Sequence, residues 1–227
     1  MLDALIAHPV PAEAARLAAL LTGAFRCRSV DSAGSLPKAL WTRAPRLLVL
    51  HLSLSGLNLD ETLRLLREDD ALSATCVLAV LESREESGIV AALESGVDDF
   101  VAEPLHPAEF RARARALVRS PREFSAPTAH IKVAGIVVDS ARRVATAGGR
   151  RVVLSATECR LLAELAGRPG EVKSKESLIA NVWGMPFDVS AHTLDSHISN
   201  LRRKLGPPGQ LIETVRGVGY VIGKRKR

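Results

Sequence analysis

"HTLDSHISNLRRKLGPPG", residues 192–209, places Leu194, Ile198, Leu201 and Leu205 at helical spacing and then halts at Gly206-Pro207-Pro208. At about 100° per residue these four side chains fall in one narrow stripe, which must face a core. Glycine followed by proline is a helix terminator, so the helix is expected from about Val189 to Leu205. His192, Ser196, Ser199, Asn200 and Arg203 then point outward, with His197 and Arg202 on the flanks. That face holds few acids, Asp195 lying to one side, and many groups that can donate to phosphates or base edges. Such a helix, preceded by another at a turn, can lie in a DNA major groove. The bland alternative is a solvated helix face.

Downstream, "LIETVRGVGYVIG" reads as a two-stranded hairpin around residues 216–219. Arg216 at its glycine-flanked tip can reach an adjacent minor groove, and Gly217 and Gly219 permit close backbone approach. Upstream, a second helix starts at Ser174 and ends near Trp183-Gly184. A first opens with "SATE", where Ser155 and Glu158 have capping-box spacing. Before these, "IKVAGIVVDSARRVATAGGRRVVL" is a run of short strands with turns at Asp139-Ser140 and Gly148-Gly149. "SPREFSAPTAH", residues 120–130, has two prolines and no apolar periodicity, and reads as a linker.

Ahead of the linker the pattern alternates. Apolar runs at 2–7, 47–50, 76–81 and 100–101 are separated by helix-period segments at 12–21, 59–68, 87–95 and 107–119. A weaker strand near 26–30 and a helix near 36–42 complete five βα units. The expected fold is α/β: a five-stranded parallel, doubly wound domain over residues 1–120. A linker at 121–130 and an α+β domain at 131–227 follow.

Charge divides the same way. Residues 1–125 carry 14 Lys/Arg against 17 Asp/Glu, whereas 126–227 carry 17 against 8 and end in "GKRKR". A polyanion is therefore expected to meet only the second half. No uncharged apolar stretch approaches the roughly 20 residues of a membrane span, and the N-terminus lacks the pattern of a signal peptide. Cys27, Cys76 and Cys159 are odd in number and widely spaced, as for buried reduced thiols. A cytoplasmic protein without membrane association is expected.

The segments "LSATECRLLAELAGRPGEVKSKESLIANVWG", "HTLDSHISNLRRKLG" and "IETVRGVGYVIG" together closely resemble the winged-helix effector domain of OmpR/PhoB-type response regulators. The resemblance implies double-stranded DNA as partner, with the third helix in the major groove and the wing arginine in the minor groove. It carries over to His197, Ser199, Asn200, Arg202, Arg203 and Arg216, with Thr214, Tyr220 and Trp183 at backbone-contacting or supporting positions. A phosphate-binding arginine often begins that helix in the family; here it is His192, so that contact is expected to be weaker or pH-dependent. The loop "GMPFDVSA", with Met185 and Phe187, lies where relatives touch RNA polymerase.

"ESGVDDFVAEPLHPAEFRARARALVRS" resembles the end of the receiver domain of the same regulators. A receiver takes a phosphoryl group on an Asp with Mg²⁺ held by an acidic pair, a hydroxyl residue and a Lys steadying the phosphoryl oxygens. Aligned on the strands, the acidic pair is His8-Pro9, the nucleophile position is His51, the hydroxyl position is Leu81 and the lysine is Glu103 before Pro104. The aromatic switch position is Phe100. Aspartyl phosphorylation is therefore not expected, and no metal or other cofactor is called for. His51 is read first as a structural tie whose pairing with Glu103 would raise its pKa. A soft-metal site of His8, His51 and Glu103, a phosphohistidine and a small-molecule pocket are the alternatives.

With the phosphate trigger missing, the resemblance implies a constitutive homodimer through the fourth helix, fifth strand and fifth helix. Asp98, Asp99, Glu109, Arg113 and Arg115 would supply ion pairs, Asp99 bridging to Arg113 across the two-fold axis. Leu93, Val97 and Phe110 would supply apolar contact. The expected function is a DNA-binding transcription regulator and not an enzyme. A pseudo-receiver that binds a partner controlling DNA access, and a broad architectural DNA binder, are the competing readings.

Overall fold

β3 (Leu47–His51) and β4 (Cys76–Leu81) are buried at every position, as befits central parallel strands covered on both faces. They belong to a parallel sheet with β1 (Leu2–Ala7), β2 (Phe25–Val30) and β5 (Asp99–Ala102), in the order β2-β1-β3-β4-β5. The computed structural model describes residues 1–83, 85–118, 130–133, 135–140, 142–184 and 191–223. It divides into two compact units, Met1–Val118 and Arg119–Arg227.

In the first unit the crossovers are α1 (Pro11–Leu21), α2 (Leu36–Thr42), α3 (Leu59–Glu68) and α4 (Glu86–Ser95), and α5 (Pro107–Val118) closes the unit. Leu5, Leu48, Leu50, Val77, Leu66 and Leu93 lie in its core. Asn58 caps α3 by accepting from the Glu61 amide, and α4 stops at Gly96 with φ 101°, a left-handed terminus that glycine adopts without strain. Asp98 is fully buried. Its Oδ2 accepts from the Val77 amide at 2.7 Å and from Arg67 Nη2 at 3.1 Å, pinning the entry to β5 against β4 and α3. Because β2 flanks β1 on one side and β3 on the other, loops leave the sheet in opposite directions between β1 and β3. In open α/β sheets that is where ligand chemistry gathers.

The second unit begins with an antiparallel sheet of β6 (His130–Val133), β7 (Ile136–Asp139), β8 (Val144–Ala147) and β9 (Arg150–Val153). β6 takes in His130, which the sequence placed in the linker, because its backbone pairs with Asp139. α6 (Ala156–Ala166) opens with the complete Ser155–Glu158 capping box, and buried Glu158 also accepts from Lys204 Nζ at 2.7 Å. After β10 (Lys173–Ser174) come α7 (Lys175–Trp183), capped by the Ser174 side chain, and α8 (Ala191–Leu205). Leu161, Leu162, Leu178, Leu194, Ile198 and Leu201 share one core.

β11 (Ile212–Val215) and β12 (Gly219–Ile222) form the C-terminal hairpin, with β10 on its other edge in the order β10-β12-β11. Gly219 makes that edge possible: a Cβ there would overlap the Lys173 carbonyl oxygen and come 2.9 Å from Ser174 Cα. The close approach the sequence assigned to this glycine is thus to β10, while Gly217, at φ 73°, only turns the chain. Met185, Phe187, the 121–129 part of the linker and the basic tail after Gly223 lie outside the described residues.

Candidate functional site

On α8, His192, Ser199 and Arg203 are exposed, and Ser196 and Arg202 are half-buried. His197 and Asn200, read from the sequence as DNA-facing, are instead 1% and 2% exposed. The apolar stripe gave the direction of the core but not its width. α6 and α7 both pack on α8, and the wider contact swallows the flanks: the His197 ring lies 5.6 Å from that of Trp183, itself buried. Asn200 Oδ1 accepts from Arg203 Nη2 at 2.8 Å. This bond ties Asn200 to the exposed Arg203 guanidinium.

Tyr220, read from the resemblance as backbone-contacting or supporting, is buried. Its hydroxyl donates to Asp195 Oδ1 at 2.6 Å, and Lys175 Nζ donates to Asp195 Oδ2 at 2.8 Å. Burial first, then the Asp195 carboxylate, pushes the phenol well above its ordinary range. Arg202 sits 5.6 Å from the Tyr220 ring centroid. Its Nε and Nη2 donate to the Ile212 carbonyl at 2.8 and 2.6 Å, and Nη2 to Thr214 Oγ1 at 2.9 Å. Arg202 and Tyr220 therefore strap α8 to the hairpin. Thr214 and Arg216 are exposed on that hairpin, as is Val218 at its tip. The sequence did not reveal the Lys175–Asp195–Tyr220 network, whose members lie 20 and 25 residues from Asp195.

At the carboxyl edge of the first unit's sheet, His8 and His51 stand on either side of the switch point, with Glu103 after β5. Both histidines are 3% exposed, and their rings meet edge to face at 4.5 Å between centroids. His8 Nδ1 accepts from the Val10 amide at 3.0 Å; His51 Nδ1 lies 2.8 Å from Ser53 Oγ and 3.3 Å from the Ser53 amide. Each ring thus turns Nε2 towards Glu103 Oε1, at 4.0 Å from His8 and 3.8 Å from His51. Both distances exceed a hydrogen bond.

The His51 pKa is lowered, not raised as the pairing with Glu103 predicts. Burial dominates and His8 adds to it; Glu103, whose side chain is 35% exposed, and Glu82 oppose them without prevailing. Leu81, which the sequence reading aligned with the hydroxyl residue, is buried, and Pro9 follows His8. Mg²⁺ demands hard oxygen ligands, and one carboxylate beside two imidazoles does not fit it. The Glu103–Pro104 peptide is cis.

On the α4-β5-α5 side, Leu93, Val97, Asp98, Asp99 and Phe110 are fully buried within the unit and Arg113 is 5% exposed. Arg113 Nη1 donates to both Asp99 carboxylate oxygens at 3.0 Å, and its Nε to Glu109 Oε1 at 2.9 Å. The Asp99–Arg113 pair that the sequence reading placed across a two-fold axis is closed inside one chain. Phe100 lies against the same guanidinium, 5.8 Å away. Arg111 and Arg115 are exposed there and Glu109 is half-buried.

A receiver-like α/β unit followed by a helix and hairpin presenting a basic polar face defines a DNA-binding regulator of transcription. The family model described as "Transcriptional regulatory protein, C terminal" matches residues 149–222. The chain is 31% identical over 217 residues to the DNA-binding response regulator MtrA of Mycolicibacterium paratuberculosis, covering 92% of this chain and 94% of that protein. It is 35% identical over 181 residues to the response regulator MprA of Mycobacterium avium, covering 78% of each. Among solved structures, a cysteine-to-serine mutant of RitR superposes with a TM-score of 0.82 at 21% identity, covering 99% of this chain and all of that one. DrrB, a Thermotoga maritima OmpR/PhoB homologue, gives 0.52 at 21% identity, covering 98% and 99%. The chain belongs to the OmpR/PhoB-type response regulators. Among the described residues no helix is long and apolar enough to cross a membrane.

Proposed function

We propose that this response regulator controls transcription without aspartyl phosphorylation, as a constitutive dimer on repeated half-sites about one helical turn apart. The observation that carries the reading is the chemistry at the strand ends. His51, which the resemblance aligns with the phosphoacceptor position, is buried beside His8 and Glu103. Neither imidazole can serve as an aspartyl acceptor, and buried Leu81 offers no hydroxyl.

DNA recognition falls to His192, Ser196, Ser199 and Arg203 on α8, and to Thr214 and Arg216 on the hairpin, with Arg202, Asn200, His197, Trp183 and Tyr220 acting behind them. Bidentate arginine contacts and hydroxyl donors suit base edges and phosphates. The dimer uses the outer faces of α4, β5 and α5, where Arg111, Arg115 and Glu109 are within a partner's reach. RNA polymerase is the expected further partner. Sedimentation and DNA-binding anisotropy of untreated protein test the reading, repeated with acetyl phosphate and Mg²⁺. A dimer whose DNA affinity ignores the donor is expected. A phosphoryl mass adduct, or dimerisation only after treatment, refutes it.

A further inference from the structure

DNA recognition makes no use of the strand-edge cluster, and a structural tie does not account for its geometry. A tie between a carboxylate and an imidazole closes to a hydrogen bond of about 2.8 Å. Here both Nε2 atoms stop at 3.8–4.0 Å from the same oxygen. His8 Nε2 is buried and has no hydrogen-bond partner among the described residues, although such a buried polar atom carries a full desolvation penalty. Two nitrogens and a carboxylate oxygen, delivered by three different strand ends, all lie within 4.8 Å of one another. The space among them has the chemistry of a cation site.

We propose that His8 Nε2, His51 Nε2 and Glu103 Oε1 bind one divalent transition-metal ion of the Zn²⁺ or Ni²⁺ type. Two imidazoles and one carboxylate form a donor set such ions favour and Mg²⁺ does not. A tetrahedral ion at about 2.0–2.1 Å from each ligand needs donor atoms roughly 3.3 Å apart. The cluster must therefore contract. Glu103 is the arm that can move, its side chain being 35% exposed while the rings are packed.

The outer contacts of the two histidines give binding a consequence. His51 Nδ1 accepts from the Ser53 amide at 3.3 Å and lies 2.8 Å from Ser53 Oγ, which can take an Nδ1 proton once Nε2 ligates, the usual arrangement behind a ligating imidazole. His8 Nδ1 likewise accepts from a backbone amide, that of Val10, which places the ring proton on Nε2. Binding moves that proton to Nδ1 and ends the Val10 hydrogen bond. Val10 occupies the N-cap position of α1, so the ion acts on the first turn of that helix. The cluster becomes a ligand input to the receiver-like unit, independent of any phosphoryl group.

The test is titration calorimetry of the chelator-stripped full chain with ZnCl₂, NiCl₂ and, as control, MgCl₂. One Zn²⁺ or Ni²⁺ per chain is expected at micromolar or tighter affinity, with no Mg²⁺ binding. His51→Gln and Glu103→Gln each weaken it at least tenfold, and His192→Ala leaves it unchanged. In ¹⁵N spectra Zn²⁺ shifts the Val10, Ser53 and Glu103 amides, and the spectra also verify that each variant is folded. Absence of stoichiometric binding tighter than about 100 μM overturns the proposal. So does binding that survives the loss of both His8 and His51. DNA binding by the same preparations is scored separately, so a chain that binds DNA but no zinc loses this inference and keeps its function.

Discussion

Replacing Gly219 by alanine tests how the hairpin is held. The added methyl meets backbone, not a yielding side chain: the Lys173 carbonyl oxygen, and Ser174 Cα at 2.9 Å. Carbon contacts rest at about 3.5–4.0 Å, so β10 must be displaced or the strain absorbed. Absorbed overpacking costs about 1–3 kcal/mol. Displacement forfeits the Lys173↔Tyr220 and Ser174↔Gly219 pairings, at about 1 kcal/mol per hydrogen bond. Both routes converge on about 2 kcal/mol. The chain has two tryptophans; in a Trp41→Phe background, Trp183 fluorescence reports the second unit alone. With a urea m-value of about 1–2 kcal/mol/M, the midpoint should fall by roughly 1–2 M. Gly217 has open space and a left-handed φ, so Gly217→Asn should stay within about 0.5 kcal/mol of wild type. A Gly219→Ala midpoint equal to that of wild type would refute the reasoning.

Arg203→Ala and Arg216→Ala should each weaken DNA binding; where the lost contact is to phosphate, the slope of log K against log salt falls by about 0.9, measured by anisotropy across a salt series. Asp98→Asn leaves Arg67 with a neutral partner in a buried setting and should destabilise the first unit by about 3 kcal/mol, read from Trp41 fluorescence in urea. Burial pushes the Cys159 thiol up to about 11. Only about one molecule in a thousand is then thiolate at pH 8, so Ellman's reagent should reach Cys159 only as the second unit unfolds, and stoichiometric labelling of native protein at this site would contradict its burial.

The alternation of apolar runs with helical periods sufficed to place the five βα units, and the Ser155–Glu158 spacing marked a cap that forms in full. His8, His51 and Glu103 were legible as a group because all three stand at strand ends. Partnerships were less so. Asp99 and Arg113 are close enough in sequence for one chain to pair them, yet periodicity says nothing about which chain supplies the partner. Asn200 was assigned to the outer face and His197 to its flank because a wheel gives a direction, whereas burial depends on how wide a face the neighbouring helices cover. The sign of the His51 shift failed for a related reason: desolvation is a property of the folded interior, and a nearby carboxylate that remains partly in water cannot outweigh it.

The strap through Arg202, Tyr220 and Asp195 has a consequence for how the specificity of this protein can drift. Ser199, Arg203 and Arg216 each sit at the surface; under the proposed recognition they can change one at a time, each altering a letter of the preferred sequence. The distance from the helix face to the hairpin tip is set elsewhere, by the Arg202 and Tyr220 contacts within the protein. The alphabet is open to mutation; the spacing between its two reading points is inherited as a unit, and a lineage that needs a different spacing must rebuild the strap before it can use a new letter.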